Sequence, residues 1–202
     1  MPLKGVRPCF LGKKMHTKSE ILAAAGELFS ERGYHGTSMR ELAKALHMRG
    51  ASLYSHISAK EELLWEIVNE VADQFLALAE SVPRHISPEE QLVQLVRGHL
   101  KVIARELHYA IVFFHEWKFL EPSLLARIKA RRDAYEANFC RIIEEGTRQG
   151  LFRVANPRLA ALFVLSALNW TYQWFRLEGP LPVEQLADQY AAFILCMLKN
   201  GK

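Results

Sequence analysis

The residues best equipped for chemistry fall into two groups. The first lies between residues 37 and 60. It holds the cations Arg40, Lys44, Arg49 and Lys60, with Thr37, Ser38, Ser52, Tyr54, Ser55 and His56 as neutral hydrogen-bonding groups. Such a mixture neutralises and hydrogen-bonds phosphate oxygens. Arg49 can fork onto the O6 and N7 of a guanine, and Ser52 is a small polar reader. Ala51, next to Gly50, can touch a thymine methyl. The second group is aromatic. Tyr109, Phe113, Phe114, Trp117, Phe119, Tyr135, Phe139, Trp170, Tyr172, Trp174 and Phe175 are interleaved with His99, His108, His115, Asn138, Asn169 and Gln173. An apolar cavity with a few polar anchors is the usual make-up of a small-molecule site. The candidate ligand set is His99, Phe113, Phe114, Trp117, Tyr135, Asn138, Phe139, Asn169, Trp170, Gln173 and Trp174. A well-filled aromatic core would use the same residues, and both readings stand.

Neither group points to catalysis. His99, His108 and His115 lack the i, i+3 or i+4 spacing of a metal site on a helix, and no Glu-x-x-His pair accompanies them. There is no glycine-rich phosphate loop and no Gly-x-Ser-x-Gly. Cys140 has no base beside it. No catalytic residue, metal or cofactor is therefore expected. The three cysteines, Cys9, Cys140 and Cys196, are odd in number and scattered. That excludes a disulfide framework and suits a reducing cytoplasm. No secretion leader is recognisable. Residues 159–175 carry no charge. The run is shorter than the ~18–20 residues of a membrane span, and it contains Ser166, Asn169, Thr171 and Gln173. A mostly buried soluble helix is expected instead.

Charge is unevenly distributed over the 202 residues. Residues 1–60 contain ten basic and four acidic side chains, a net of +6, which leaves −2 for the remaining 142. A basic head on a mildly acidic body suits a polyanion partner.

The elements that must position these groups read as helices throughout. Thr17–Glu20, Ser38–Glu41, Ser58–Glu61 and Ser87–Glu90 each fit the capping box that opens a helix. Pro88, Pro122 and Pro157 suit first helical positions. Nine helices are predicted, at about 18–32, 39–46, 50–56, 59–81, 88–105, 107–119, 122–148, 157–177 and 183–199. Residues 1–16 form a basic arm. Its Lys4, Arg7, Lys13 and Lys14 are either a minor-groove contact or a tail. Residues 17–60 form the head and 61–202 the body. Ile21, Leu22, Ala25, Leu28 and Phe29 on the first helix can pack on Ala43, Leu46 and Leu53. Short helices around such a seam make a helix-turn-helix unit, whose second helix enters the major groove of double-stranded DNA.

The run from Ile21 through Leu28-Phe29, Gly33-Tyr34-His35-Gly36-Thr37-Ser38-Met39-Arg40-Glu41-Leu42-Ala43, Ala51-Ser52-Leu53-Tyr54-Ser55-His56-Ile57 and Lys60-Glu61-Glu62-Leu63-Leu64 resembles the TetR-type transcriptional regulators. The resemblance implies an all-α fold with a DNA-binding head and a ligand-binding, dimerising body. It implies a homodimeric repressor that reads a palindrome, with Tyr54 and Lys60 on phosphates. Three positions depart from the common pattern. His47 stands where glycine is usual, Arg49 where a serine cap is usual and Gly50 where lysine is usual. His47 tolerates a left-handed backbone, and the lost cap costs ~1 kcal/mol.

Dimerisation is expected through the last two predicted helices, at Leu159, Leu162, Phe163, Ser166, Leu186, Tyr190, Phe193, Ile194 and Met197, as a four-helix bundle. The segment 167–175, with Gly150-Leu151-Phe152-Arg153 and Asn156-Pro157-Arg158 before it, resembles a TetR subgroup controlling fatty-acid, aromatic-acid and steroid degradation. That implies a small hydrophobic effector of the coenzyme A thioester class. A helical carrier or adaptor that no longer binds DNA remains the competing class.

Overall fold

The computed structural model describes residues 17–201; the basic arm lies outside the described residues. Ten α-helices and one 3-10 turn occur among them, and no strand. Local capping chemistry opens many of them. In α1 (Lys18–Arg32) the Thr17 hydroxyl accepts the Glu20 amide, while the Glu20 carboxylate accepts the Thr17 amide. Ser38 and Glu41 do the same for α2 (Met39–Ala45), and Ser87 and Glu90 for α5 (Pro88–Arg105). Each box satisfies two amides that a helix end would leave unpaired. The predicted Ser58–Glu61 box does not form. Ser58 bonds Glu62 through both its amide (2.9 Å) and its hydroxyl (2.6 Å). Consequently α4 (Lys60–Ser81) starts after Ala59 with no side-chain cap, and Glu61 receives the Glu121 amide instead.

The remaining elements are α3 (Gly50–Tyr54), α6 (Leu107–His115), the 3-10 turn Trp117–Phe119, α7 (Pro122–Arg148), α8 (Pro157–Asn169), α9 (Thr171–Trp174) and α10 (Val183–Asn200). All nine predicted helices are present, but the eighth is divided and shorter. The Thr171 hydroxyl donates to the Leu168 carbonyl at 2.7 Å. That bond competes with the helical ladder. After Trp174 the backbone becomes extended and Phe175 turns into the core.

α4 is the central element. Leu64, Ile67, Val68, Val71, Ala72 and Phe75 form its buried stripe. The spacing is helical, so one face meets α5, α6 and α7 together. α10 lies along α5, and α7 along α8. In the head, Ile21, Ala25 and Phe29 close over Leu42, Leu46, Leu53 and Ile57, all buried.

The head is joined to the body mainly through α1 and α6. Gly26 makes this possible, because a Cβ there would lie 2.4 Å from the Tyr109 ring. Around that contact, Ser30 Oγ meets His108 Nδ1 at 2.8 Å, and the Tyr34 amide donates to Glu116 at 2.8 Å. Gly33 ends α1 with φ +78°, a backbone region that L-residues with a Cβ rarely adopt.

Gly26→Ala sets a gain in helix propensity of about 1 kcal/mol against overpacking of about 1–3 kcal/mol. A net loss of stability is expected in urea unfolding. In a Tyr109→Ala background the same change should become stabilising. Equal effects in both backgrounds would show that this contact does not restrain the helix.

Candidate functional site

The head presents one exposed face built by α2 and α3. The turn between them is tight because His47 takes φ +52°, the left-handed conformation expected where glycine is usual. The Met48 amide then reaches back to the Ala43 carbonyl at 2.8 Å. Leu53 is fully buried and fixes the rotation of α3. Gly50, Ala51, Tyr54, Ser55 and His56 are left exposed, with Ser52 half-buried. Tyr54 is 57% exposed, so it is not a core aromatic. Arg40, Lys44, Gly50 and Tyr54 line one groove together with Met39, Glu41, Ala43 and Met48. Arg49 caps α3 without a side-chain bond, as its identity predicts. Among the described residues no ion pair engages Arg40, Lys44 or Arg49. Their charge is available to a polyanion.

Three predicted members of this face behave differently. Thr37 is buried, and its hydroxyl donates to the carbonyls of Leu28 (3.2 Å) and Gly33 (3.1 Å). It ties the α1–α2 loop, and its amide donates to the Tyr34 carbonyl at 3.3 Å. The Ser38 hydroxyl is occupied by Glu41 at 2.7 Å. Lys60 is not in the groove. Its ammonium lies 4.1 Å from the Tyr34 ring centroid, and burial lowers its pKa. A cation in that position is held by the ring's negative face.

The body contains a cavity of about 190 Å³ between α4, α5, α6, α7 and α8. Phe75, His99, Phe113, Phe114 and Tyr135 form its aromatic wall, with Leu162, Leu165 and Asn169 from α8 opposite. Phe75 packs 4.7 Å from the His99 ring and 5.0 Å from Tyr135. The Tyr135 hydroxyl meets His99 Nδ1 at 3.1 Å. Burial lowers the His99 pKa to about 3 and pushes the Tyr135 phenol well up. Asn169 opposes the His99 shift but makes no hydrogen bond of normal geometry to it. Arg132 spans the Phe113 and Trp117 rings at 5.0 and 4.9 Å, and burial lowers its pKa too. Arg131 pairs with Asp73.

Five predicted ligand residues line this cavity: His99, Phe113, Phe114, Tyr135 and Asn169. Phe139 stands behind His99 and Tyr135, and Trp117 lies beyond Arg132. Four others are elsewhere. Asn138 bonds its own helix at the Ala134 carbonyl (2.9 Å). Gln173 holds the Tyr172 hydroxyl at 2.7 Å, and Trp170 and Trp174 are exposed. The division of the helix at Thr171 rotates that segment away from the cavity. Phe75 was missed as a lining residue. Phe75 closes the apolar stripe of α4, which was the available signal.

The predicted dimer residues also separate. Leu159, Leu162, Phe163 and Ser166 on α8 are exposed, as is Phe193 on α10 at 68%. Tyr190 and Met197 are half-buried against the core. Leu186 and Ile194 are buried within this chain, because α10 turns that stripe onto the body. They are core residues, not surface ones. Leu162 and Ser166 additionally border the cavity.

Thr37→Val should cost about 1–2 kcal/mol through the lost buried bonds, while leaving the salt dependence of DNA binding unchanged. A shallower salt dependence would restore Thr37 as a phosphate contact. His99 supplies a second expectation. Unfolded histidine gains a proton below pH 6.5 that the folded state refuses until about pH 3. Its contribution is therefore intact above pH 6.5 and is lost as pH falls toward 3, by about 1 kcal/mol at pH 5.5. The stability lost in urea unfolding between pH 7.5 and 5.5 should be smaller by about that amount in His99→Leu; an unchanged loss would show the imidazole is protonated normally.

Both halves of the chain match known families. Residues 21–67 match the bacterial regulatory proteins of the tetR family, and residues 85–198 match the tetracyclin repressor-like C-terminal domain. The HTH-type transcriptional repressor KstR2 of Mycobacterium tuberculosis (strain ATCC 25618 / H37Rv) is 26% identical over 189 residues, covering 91% of this chain and 94% of that one. The TetR-family regulator PfmR from Thermus thermophilus is 35% identical, with a TM-score of 0.80 over 87% of this chain and 97% of that one. AibR, crystallised with isovaleryl coenzyme A and operator DNA, is 33% identical, with a TM-score of 0.76 over 87% and 96%. These relatives are regulators rather than enzymes. No helix among the described residues is long and apolar enough to cross a membrane, and no group of three or more His, Cys, Asp or Glu there could hold a metal. The shared helical frame and the matches across head and body make this chain a member of the TetR family of transcriptional regulators.

Proposed function

We propose that two copies of this chain form a homodimeric repressor that binds a palindromic operator and is released by a small hydrophobic effector in the α4–α8 cavity. A single head offers few phosphate contacts. Two heads related by a two-fold axis double them and read both half-sites. The exposed α8 face (Leu159, Phe163) and Phe193 of α10 are the surface proposed to pair. The groove with Arg40, Lys44, Gly50 and Tyr54, with Arg49, Ala51, Ser52, Ser55 and His56 beside it, is the surface proposed to meet DNA. Such a regulator acts in the cytoplasm, where the operator is.

The observation that carries this reading is the position of α6. Phe113 and Phe114 line the cavity. On the same helix Tyr109 lies against Gly26 and His108 against Ser30, and Glu116 just beyond it holds Tyr34. A ligand that displaces α6 therefore moves the head. Effector and operator then oppose each other by linkage. A differential of ~3 kcal/mol weakens DNA binding more than a hundredfold. AibR has been crystallised with both isovaleryl coenzyme A and operator DNA. That supports an acyl thioester as the effector class here.

The test is fluorescence anisotropy on duplex DNA, from the gene's own upstream region or selected from a random pool, with isovaleryl coenzyme A as the added effector. Saturable binding, steep in salt and reversed by the thioester, is expected. Arg40→Ala should lower the log–log salt slope by about 1.8, because a dimer loses two phosphate contacts of about 0.9 each. A drop of about 0.9 would indicate one bound head. Failure to select any preferred duplex would overturn the regulator reading for this chain.

A further inference from the structure

His99 is 1% exposed, yet its Nε2 faces the cavity without a partner. The direction of this unused group can be worked out from its neighbour. Tyr135 is buried, and its hydroxyl proton has one acceptor within reach among the described residues, His99 Nδ1 at 3.1 Å. A phenol that donates to Nδ1 leaves that nitrogen unprotonated. The neutral imidazole must then carry its proton on Nε2. The cavity thus contains an N–H donor among Phe75, Phe113 and Phe114, with the Asn169 side chain beside it but no hydrogen bond of normal geometry between them. A buried donor without an acceptor is unfavourable by an amount a ligand can recover.

We propose that His99 Nε2–H is the polar anchor of the effector and donates to a neutral carbonyl oxygen on a compact acyl or cyclic group. This rests on the effector-binding part of the function proposed above and adds the ligand chemistry. Two further features define the class. A cavity near 150 Å³ accommodates a benzene-sized molecule, so about 190 Å³ suits a short, branched or cyclic group rather than an extended chain. Asp133 and Glu136 border the cavity beside Arg131 and Arg132, so its lining charges balance and supply no net attraction for an anion. Burying an ionised carboxylate between aromatic rings is also far more costly than burying a carbonyl. The carbonyl can come from an acyl thioester or from a free ketone.

Both sources are tested by titration calorimetry on the full chain at pH 7.5, without DNA. Cyclohexanone is compared with methylenecyclohexane, which has the same shape but no oxygen. Isovaleryl coenzyme A is compared with its S-isopentyl thioether, which lacks the carbonyl. At least one carbonyl compound should bind about fivefold to tenfold tighter than its partner, the worth of one net hydrogen bond. The pair that responds identifies the source. In His99→Phe the preference should disappear, and in Tyr135→Phe it should weaken because the tautomer is no longer fixed. Long-range proton–nitrogen spectra of the unsubstituted protein should show Nε2 protonated and Nδ1 not, whatever the variants do. Equal affinity within both pairs, no binding by either carbonyl compound, tighter binding of cyclohexanecarboxylate than of cyclohexanone, or a proton on Nδ1 would overturn the proposal. Because no DNA is present, these outcomes are independent of operator binding.

Discussion

The close approach of Tyr109 to Gly26 is the contact on which the arrangement of head and body depends. A side chain at that position would lift α1 off α6 and pull apart the flanking Ser30–His108 and Tyr34–Glu116 hydrogen bonds. With glycine there, the buried ring seats one helix on the other, and the polar contacts set their rotation. The head is thus held to the body by a contact separated by 83 positions in the chain. Its orientation depends on α6, a helix that also lines the cavity. Interfaces of this kind change between discrete packings rather than bending continuously. Head and cavity thus share one helix, which is the basis of the proposed coupling.

The cavity itself combines burial with incomplete polar satisfaction. His99 and Tyr135 satisfy each other, which leaves the second imidazole nitrogen facing the cavity without a partner. Arg132 is stacked between aromatic rings, and one of its nitrogens is likewise buried without a partner. Cores built only for stability avoid such groups. The proposed effector would supply such partners.

The exposed face of the head has a different physical basis. It depends on short-range backbone chemistry: a left-handed residue at His47, a buried Leu53 and capping boxes that fix α1 and α2. Its cations are unpaired, which is unfavourable to bury but suited to long-range attraction of DNA. Thr37 and Lys60, the two predicted contacts turned away from it, are consumed by the packing of the head. One ties a loop, and the other covers the Tyr34 ring.

Much of this was readable from the chain alone. Helix positions, three of the four capping boxes, the helix-turn-helix seam and the basic face were legible because each arises from groups within about four residues of one another, or from simple charge. His99, Phe113, Phe114, Tyr135 and Asn169 were legible as cavity residues because aromatic and polar side chains alternate there at helical spacing. The rest required partners distant in sequence. α10 buries Leu186 and Ile194 because α5 lies beneath it, and periodicity cannot say which neighbour an apolar stripe will meet. Thr171 divides α8, and Phe175 turns inward, so Trp170, Gln173 and Trp174 leave the cavity. The sequence by itself determined the helices, their caps and the chemistry of the head, since local hydrogen bonds and charge suffice for these. The tertiary structure alone decided which faces are buried and which groups meet at His99, since both depend on contacts between residues far apart in the chain.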